Sequence, residues 1–239
     1  MLGRPDQARK ESQRAIALAE QLNHPFSLAL ALSFATWLEQ FCGNVPRVRD
    51  LATKAIAHCE EQGFPFWIGW NQVLLGWSIA QEGKTGGEAI SLMHKGLAYW
   101  QEKGSNLGRS YFLCLLAEAH MRQGEWAQSM DALAQAQAFA NETDERYWEA
   151  ERQRLSGELL LLQGHAPEQA EHYFMQALAK ALDQSARSLE LRAAISSVRL
   201  DQKLRRKSEA SEILATVLAG FTEGQDSQNV QEAKALLAD

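Results

Sequence analysis

Apolar residues along this chain recur three and four positions apart. Leu155, Leu159 and Leu162 fall at i, i+4 and i+7, and Ala170, Phe174, Ala177 and Leu178 repeat the spacing. Alternation with a period of two is not sustained anywhere, so the pattern predicts helices and no strands. The helical runs stop at fixed intervals. Gly3, Gly43, Gly83, Gly124 and Gly164 are 40, 40, 41 and 40 residues apart, and Asn23, Gly63, Gly104, Asp144 and Gln184 form a second series half a period out of phase. Glycine and asparagine tolerate the left-handed conformation that ends a helix. The chain therefore reads as antiparallel helix pairs joined by turns of two to five residues. First helices are expected at about 24–42, 64–82, 106–123, 144–163 and 185–203, and second helices at about 45–62, 86–103, 125–141, 167–183 and 206–219.

The units correspond residue by residue. His24-Pro25-Phe26 matches Phe64-Pro65-Phe66, with each proline in a first helical turn. Thr36, Gly76, Ala117, Gly157 and Ser197 recur at one height and are all small, as a close helix crossing requires. The fold class is thus an all-α solenoid of antiparallel helix pairs with a period of about 40, one continuous domain over 1–239. It divides into an orphan helix at 4–22, pairs at 23–62, 63–103, 104–143, 144–183 and 184–220, and a capping tail at 221–239. The orphan helix aligns with second helices and has no first helix, so Ile16 and Leu18 are expected to lack a neighbour. That points to a piece of a longer protein, or to docking on a partner or a second copy as a homodimer. Ser227 is expected to cap a short helix at 228–237.

Composition narrows the function classes. The chain has 239 residues and a formal charge of −6, which disfavours a dedicated nucleic-acid binder. Three scattered cysteines, Cys42, Cys59 and Cys114, fit a reducing cytoplasm better than a disulfide framework. No apolar run reaches membrane-spanning length, and the first residues lack the apolar core of a signal peptide.

Chemistry-bearing motifs are sparse. Gly83-Lys84-Thr85 lacks the earlier glycine of a phosphate loop, since position 78 is Ser78, and it follows a helix rather than a strand. The six histidines have no metal-ligand spacing, and no pair of carboxylates stands out as acid and base. No cofactor, metal site or catalytic residue is expected, and the chain is read as a non-enzyme. The basic run Arg199, Lys203, Arg205, Arg206, Lys207 reads as a solvated helix end.

The third unit, Leu116-Ala117-Glu118-Ala119-His120-Met121-Arg122-Gln123-Gly124-Glu125-Trp126 followed by Ser129, Leu133 and Ala136, resembles the tetratricopeptide pattern. Gly157, Gly164, Ala170, Phe174 and Ala177 match it in the fourth. The longer period is similar to that of the superhelices of bacterial signalling ATPases and maltose-regulator-type activators. Residues 186–194 and 221–237, with His24-Pro25-Phe26-Ser27, Gly63-Phe64-Pro65-Phe66-Trp67, Leu115-Leu116-Ala117-Glu118-Ala119 and Gly157-Glu158-Leu159-Leu160, resemble the helical-repeat tail of bacterial multidomain proteins that carry a class III adenylate/guanylate cyclase domain and an ATPase module. The resemblance covers nearly the whole chain and implies a right-handed superhelical solenoid of the tetratricopeptide-like kind, acting as a cytoplasmic protein-interaction and signal-transduction module. Its partner would be a protein, a peptide or an upstream ATPase or cyclase module, without membrane or nucleic acid. First helices would then line a concave face with Trp37, Trp70, Trp77, Tyr111, Glu118, Arg122, Arg154 and Glu158. Aromatic and arginine side chains are good partner anchors, and the tryptophans equally suit packing between helices. A nucleic-acid-binding solenoid and a small-ligand-binding or enzymatic groove are the alternatives. The first requires a basic stripe along the repeats and the second a convergent catalytic constellation.

Overall fold

A computed structural model describes residues 2–83, 87–102, 104–206 and 209–238. Lys84, Thr85 and Lys207 of the motifs above lie outside the described residues. Among the described residues there are twelve helices and no strand: α1 (Pro5–Gln21), α2 (Pro25–Phe41), α3 (Val45–Gln62), α4 (Pro65–Gln81), α5 (Glu88–Glu102), α6 (Arg109–Gln123), α7 (Trp126–Thr143), α8 (Glu149–Leu162), α9 (Pro167–Asp183), α10 (Arg187–Leu204), α11 (Ala210–Ala219) and α12 (Gln228–Ala238). Within α1–α6 and within α7–α12 each helix packs on the next in sequence, the arrangement of a helical solenoid. The chain divides into two compact units, residues 5–123 and residues 124–239 with the first four.

The stops fall where the glycine series placed them. Gly43, Gly63, Gly83, Gly104, Gly124 and Gly164 have positive φ, as do Asn23 and Asp144. In the last unit the left-handed residue is Ser185, at φ 51°, and not Gln184, which is right-handed and caps α9. Pro25 and Pro65 open their helices as expected. The helices α6 and α8 start later than their hydrophobic pattern. A turn closed by Arg109 N–H donating to Asn106 O (3.2 Å) precedes one, and Glu149 N–H to Arg146 O (3.1 Å) the other. Helix α11 also starts late, because Arg206 turns back onto Asp201 and Glu171 instead of entering it.

Two layers form within each unit. In residues 5–123, α4 touches both α2 and α6, while α1, α3 and α5 pack only on even-numbered helices. In residues 124–239, α10 likewise touches α8 and α12. The small residues sit at the crossings between layers. A Cβ at Gly76 would lie 2.6 Å from Ala89 O of α5, and one at Gly157 would lie 2.5 Å from the Phe174 ring of α9. Helix α12 is therefore more than a cap: its Val230 and Ala233 are buried with Leu191, Ile195 and Leu214, and it joins the even-numbered layer beside α10.

Candidate functional site

The register places six of the eight candidate residues, all but Arg122 and Arg154, in two rows. One position after the small residue of each first helix stand Trp37, Trp77, Glu118, Glu158 and Val198. Six positions before it stand Leu30, Trp70, Tyr111, Glu151 and Leu191. The rows differ in burial.

Trp70 and Tyr111 of the second row have no exposed surface. Trp70 is the hub of an aromatic cluster on α2, α4, α5 and α6. Its ring centroid lies 4.8 Å from Trp37, 5.0 Å from Phe112 and 5.1 Å from Trp100, all edge-on. Edge-to-face rings add about 0.5–1.5 kcal/mol per pair to the burial of their area. Tyr111 donates from its hydroxyl to Gln40 Oε1 at 2.8 Å. Trp70 and Tyr111 are thus packing residues, and a partner reaches neither in this conformation. Trp77 is also buried, with its indole N–H donating to Glu118 Oε2 at 2.8 Å. Trp37 and Glu118 are half-buried, and Arg122 is exposed.

In residues 124–239 the second row changes chemistry. Glu151 is buried and pairs with Arg154 at 2.6 Å and Arg192 at 2.7 Å. Burial alone pushes its carboxyl up, but the two guanidiniums outweigh that and hold it below the usual range. Arg154 also reaches Glu158, and Ser196 donates to Glu158 at 2.6 Å, tying α8 to α10. The expected pair Arg154 and Glu158 is therefore brought together, as part of an internal ion network. Glu151 and Arg192 were not anticipated. The available signal was a carboxylate standing in a row of Trp70, Tyr111 and Leu191, which demands buried cations.

Helices α1 and α2 carry a different surface. Arg9 of α1 grips the nearly buried Glu39 carboxylate of α2 through two bonds of 3.2 and 3.3 Å. Ile16, expected to lack a neighbour, packs with Leu32, Ala35, Leu51 and Ala55. Leu18 is 51% exposed, and across a groove of about 430 Å³ stand Leu30 at 37% and Phe34 at 45%. In the later first helices the equivalents of Leu30 are the buried Trp70, Tyr111, Glu151 and Leu191. Those of Phe34 are the buried Leu74, Leu115, Leu155 and Ile195.

Among the described residues no group of three His, Cys, Asp or Glu side chains is placed to hold a metal ion. The three cysteines are buried, and desolvation pushes the Cys59 thiol up to about 11, away from nucleophilic use. His94 and His120 lie with ring centroids 6.0 Å apart, and burial followed by the neighbouring imidazole lowers the pKa of His94. In the basic run, Arg199 pairs with Glu232, and Arg206 with Glu171 and Asp201. No described helix is long and apolar enough to cross a membrane. No protein-family model matches the chain, and no curated protein matches it.

Proposed function

We propose that this protein is a helical-repeat interaction module, without a reaction of its own, that receives one amphipathic helix of a protein partner across α1 and α2. The supporting observation is the register of Leu30 and Phe34. On α4, α6 and α10, which each pack on a preceding even-numbered helix of the same unit, every equivalent residue is covered, and these two face solvent on α2. A helix laid there would continue the α2–α4 packing by one step, with Leu18, Leu30 and Phe34 as its seat, which is helix-in-groove recognition. Trp37, Glu118 and Arg122 are the anticipated residues of this unit that keep exposed surface for further contact. The likeness to helical tails of bacterial cyclase–ATPase proteins supports a cytoplasmic regulatory setting, in which an ATPase or cyclase module is the partner or is joined to the array.

Selection from a displayed library of helical peptides tests this. Enriched peptides are expected to carry an apolar stripe at i, i+3, i+4 and i+7. They are expected to lose at least tenfold in affinity, about 1.4 kcal/mol, on Leu30→Glu or Phe34→Glu with the circular dichroism spectrum retained. Peptides without the stripe, or binding unchanged in both variants, would overturn the reading. So would concentration-dependent self-association abolished by Leu30→Glu, which would assign the groove to a second copy.

A further inference from the structure

The second helix of each pair carries a face at i, i+4, i+7 and i+11 that its first helix covers. In α3 this face is Val48, Ala52, Ala55 and Cys59, all buried. In α5 it includes Ala89, Met93 and Gly96, also buried. The cover runs antiparallel. A Cβ at Gly76 of α4 would lie 2.6 Å from Ala89 O, and one at Gly69, seven residues earlier, would lie 2.9 Å from Gly96 O. At the other end of the α2–α3 pair, His58 Nε2 of α3 lies 2.9 Å from Pro25 O, the first residue of α2.

The same face on α1 is Ala8, Ser12, Ala15 and Ala19. Helix α1 turns Ile16 toward Leu32 and Ala35 of α2, and this face lies beside that contact. Ala19 is buried, Ala8 and Ser12 are half-buried, and Ala15 is exposed in the α1–α2 groove. The groove is therefore continuous with a surface whose counterparts on α3 and α5 meet one kind of helix. That helix carries small residues seven positions apart: Ala29 and Thr36 in α2, Gly69 and Gly76 in α4, Ala150 and Gly157 in α8, all buried. Small residues on both sides let two helix axes cross closely.

We propose that the partner helix has the chemistry of this chain's own first helices. It runs antiparallel to α1 and parallel to α2, with one small residue over Ala15 and a second, seven positions later, over Ala8 and Ser12. This rests on the helix-in-groove reading and adds direction and residue size, which that reading leaves open.

The probe is a labelled synthetic peptide of residues 24–42, with Cys42→Ser and a solubilising lysine tail, titrated with the full chain and followed by fluorescence anisotropy. Saturable binding is expected, weakened at least tenfold by Leu30→Glu in the protein. Thr36→Trp in the peptide, which cannot disturb the protein's fold, is expected to cost at least tenfold as well. Direction is read by disulfide trapping. Leu18 is the counterpart of His58, so the start of the peptide belongs near Leu22 and its end near Gln7. A cysteine at the peptide's C-terminus should trap Gln7→Cys and not Leu22→Cys, and one at its N-terminus the reverse. Inverted or indiscriminate trapping, or a Thr36→Trp peptide that binds like the parent peptide, overturns this proposal and leaves the groove reading standing. No saturable binding at millimolar concentration overturns it too, and binding indifferent to Leu30→Glu removes the peptide from the groove and overturns it likewise.

Discussion

Replacing Gly76 by alanine tests whether the small-residue series sets the distance between the layers. On propensity alone the change should help, because alanine is favoured over glycine inside a helix by about 1 kcal/mol. The crossing opposes it. The new methyl would sit 2.5 Å from Met93 Cγ and 2.6 Å from the carbonyl oxygen of Ala89. The methionine can swing aside, but the carbonyl belongs to the backbone of α5 and moves only with its helix. Relieving the clash requires α4 and α5 to separate by ~0.5–1 Å, which forfeits a quarter to a half of the dispersion well of atoms in contact. Overpacking of this kind costs about 1–3 kcal/mol, and with the propensity gain subtracted we expect a net loss of about 1 kcal/mol. Urea unfolding followed by circular dichroism reads this as a lowered midpoint at unchanged slope. A Gly76→Ala midpoint at or above that of the parent would refute the crossing as the cause of the small residue.

Three further outcomes follow from the same structure. Trp70→Ala should destabilise by about 3–5 kcal/mol in the same denaturation assay, because it empties the hub of the aromatic cluster; a loss below 1 kcal/mol would contradict that role. Glu151→Gln should cost about 3–5 kcal/mol by leaving Arg154 and Arg192 without their buried carboxylate. The lowered pKa of Glu151 also fixes a sign: its contribution is complete above the ordinary carboxylate range and is lost as pH falls through the depressed value, so acid unfolding of Glu151→Gln should be shallower than that of the parent. Cys59, fully buried with its thiol pushed up to about 11, should resist a thiol-specific disulfide reagent at pH 8 in the native protein and react once urea unfolds it.

The layered fold was readable because its determinants are local. A left-handed stop such as Gly63 and a crossing residue such as Gly157 act through backbone geometry, so they recur at a visible interval whatever packs around them. The start of α8 was less readable, because the turn at 146–149 consumes residues whose apolar spacing continues the helical pattern. The direction each row faces was readable least. Trp70 and Arg122 both lie on first helices, yet one is enclosed and the other exposed. Periodicity places a residue on a stripe of its own helix, and the neighbours on either side decide whether that stripe meets solvent. Ile16 and Leu18 show the same limit two positions apart: one reaches the α2–α3 core and the other does not.

Because the small residues fix the helix spacing, the rows between them are free to change chemistry without moving the backbone. One position holds Trp70 in a cluster of rings, and its counterpart holds Glu151 between two arginines; both are buried, and both are complete only with partners from neighbouring helices. A row facing water has no such requirement. Polar side chains there carry no desolvation cost, and leucine or phenylalanine gains nothing from solvent. Leu30 and Phe34 are nevertheless apolar, are flanked by the exposed Leu18 and Leu22, and stand in register with residues that are covered on every later first helix. Contiguous apolar surface of this kind marks an interaction site. The proposed partner helix would lie there at the layer's own spacing, since the backbone that presents these residues is already set for one.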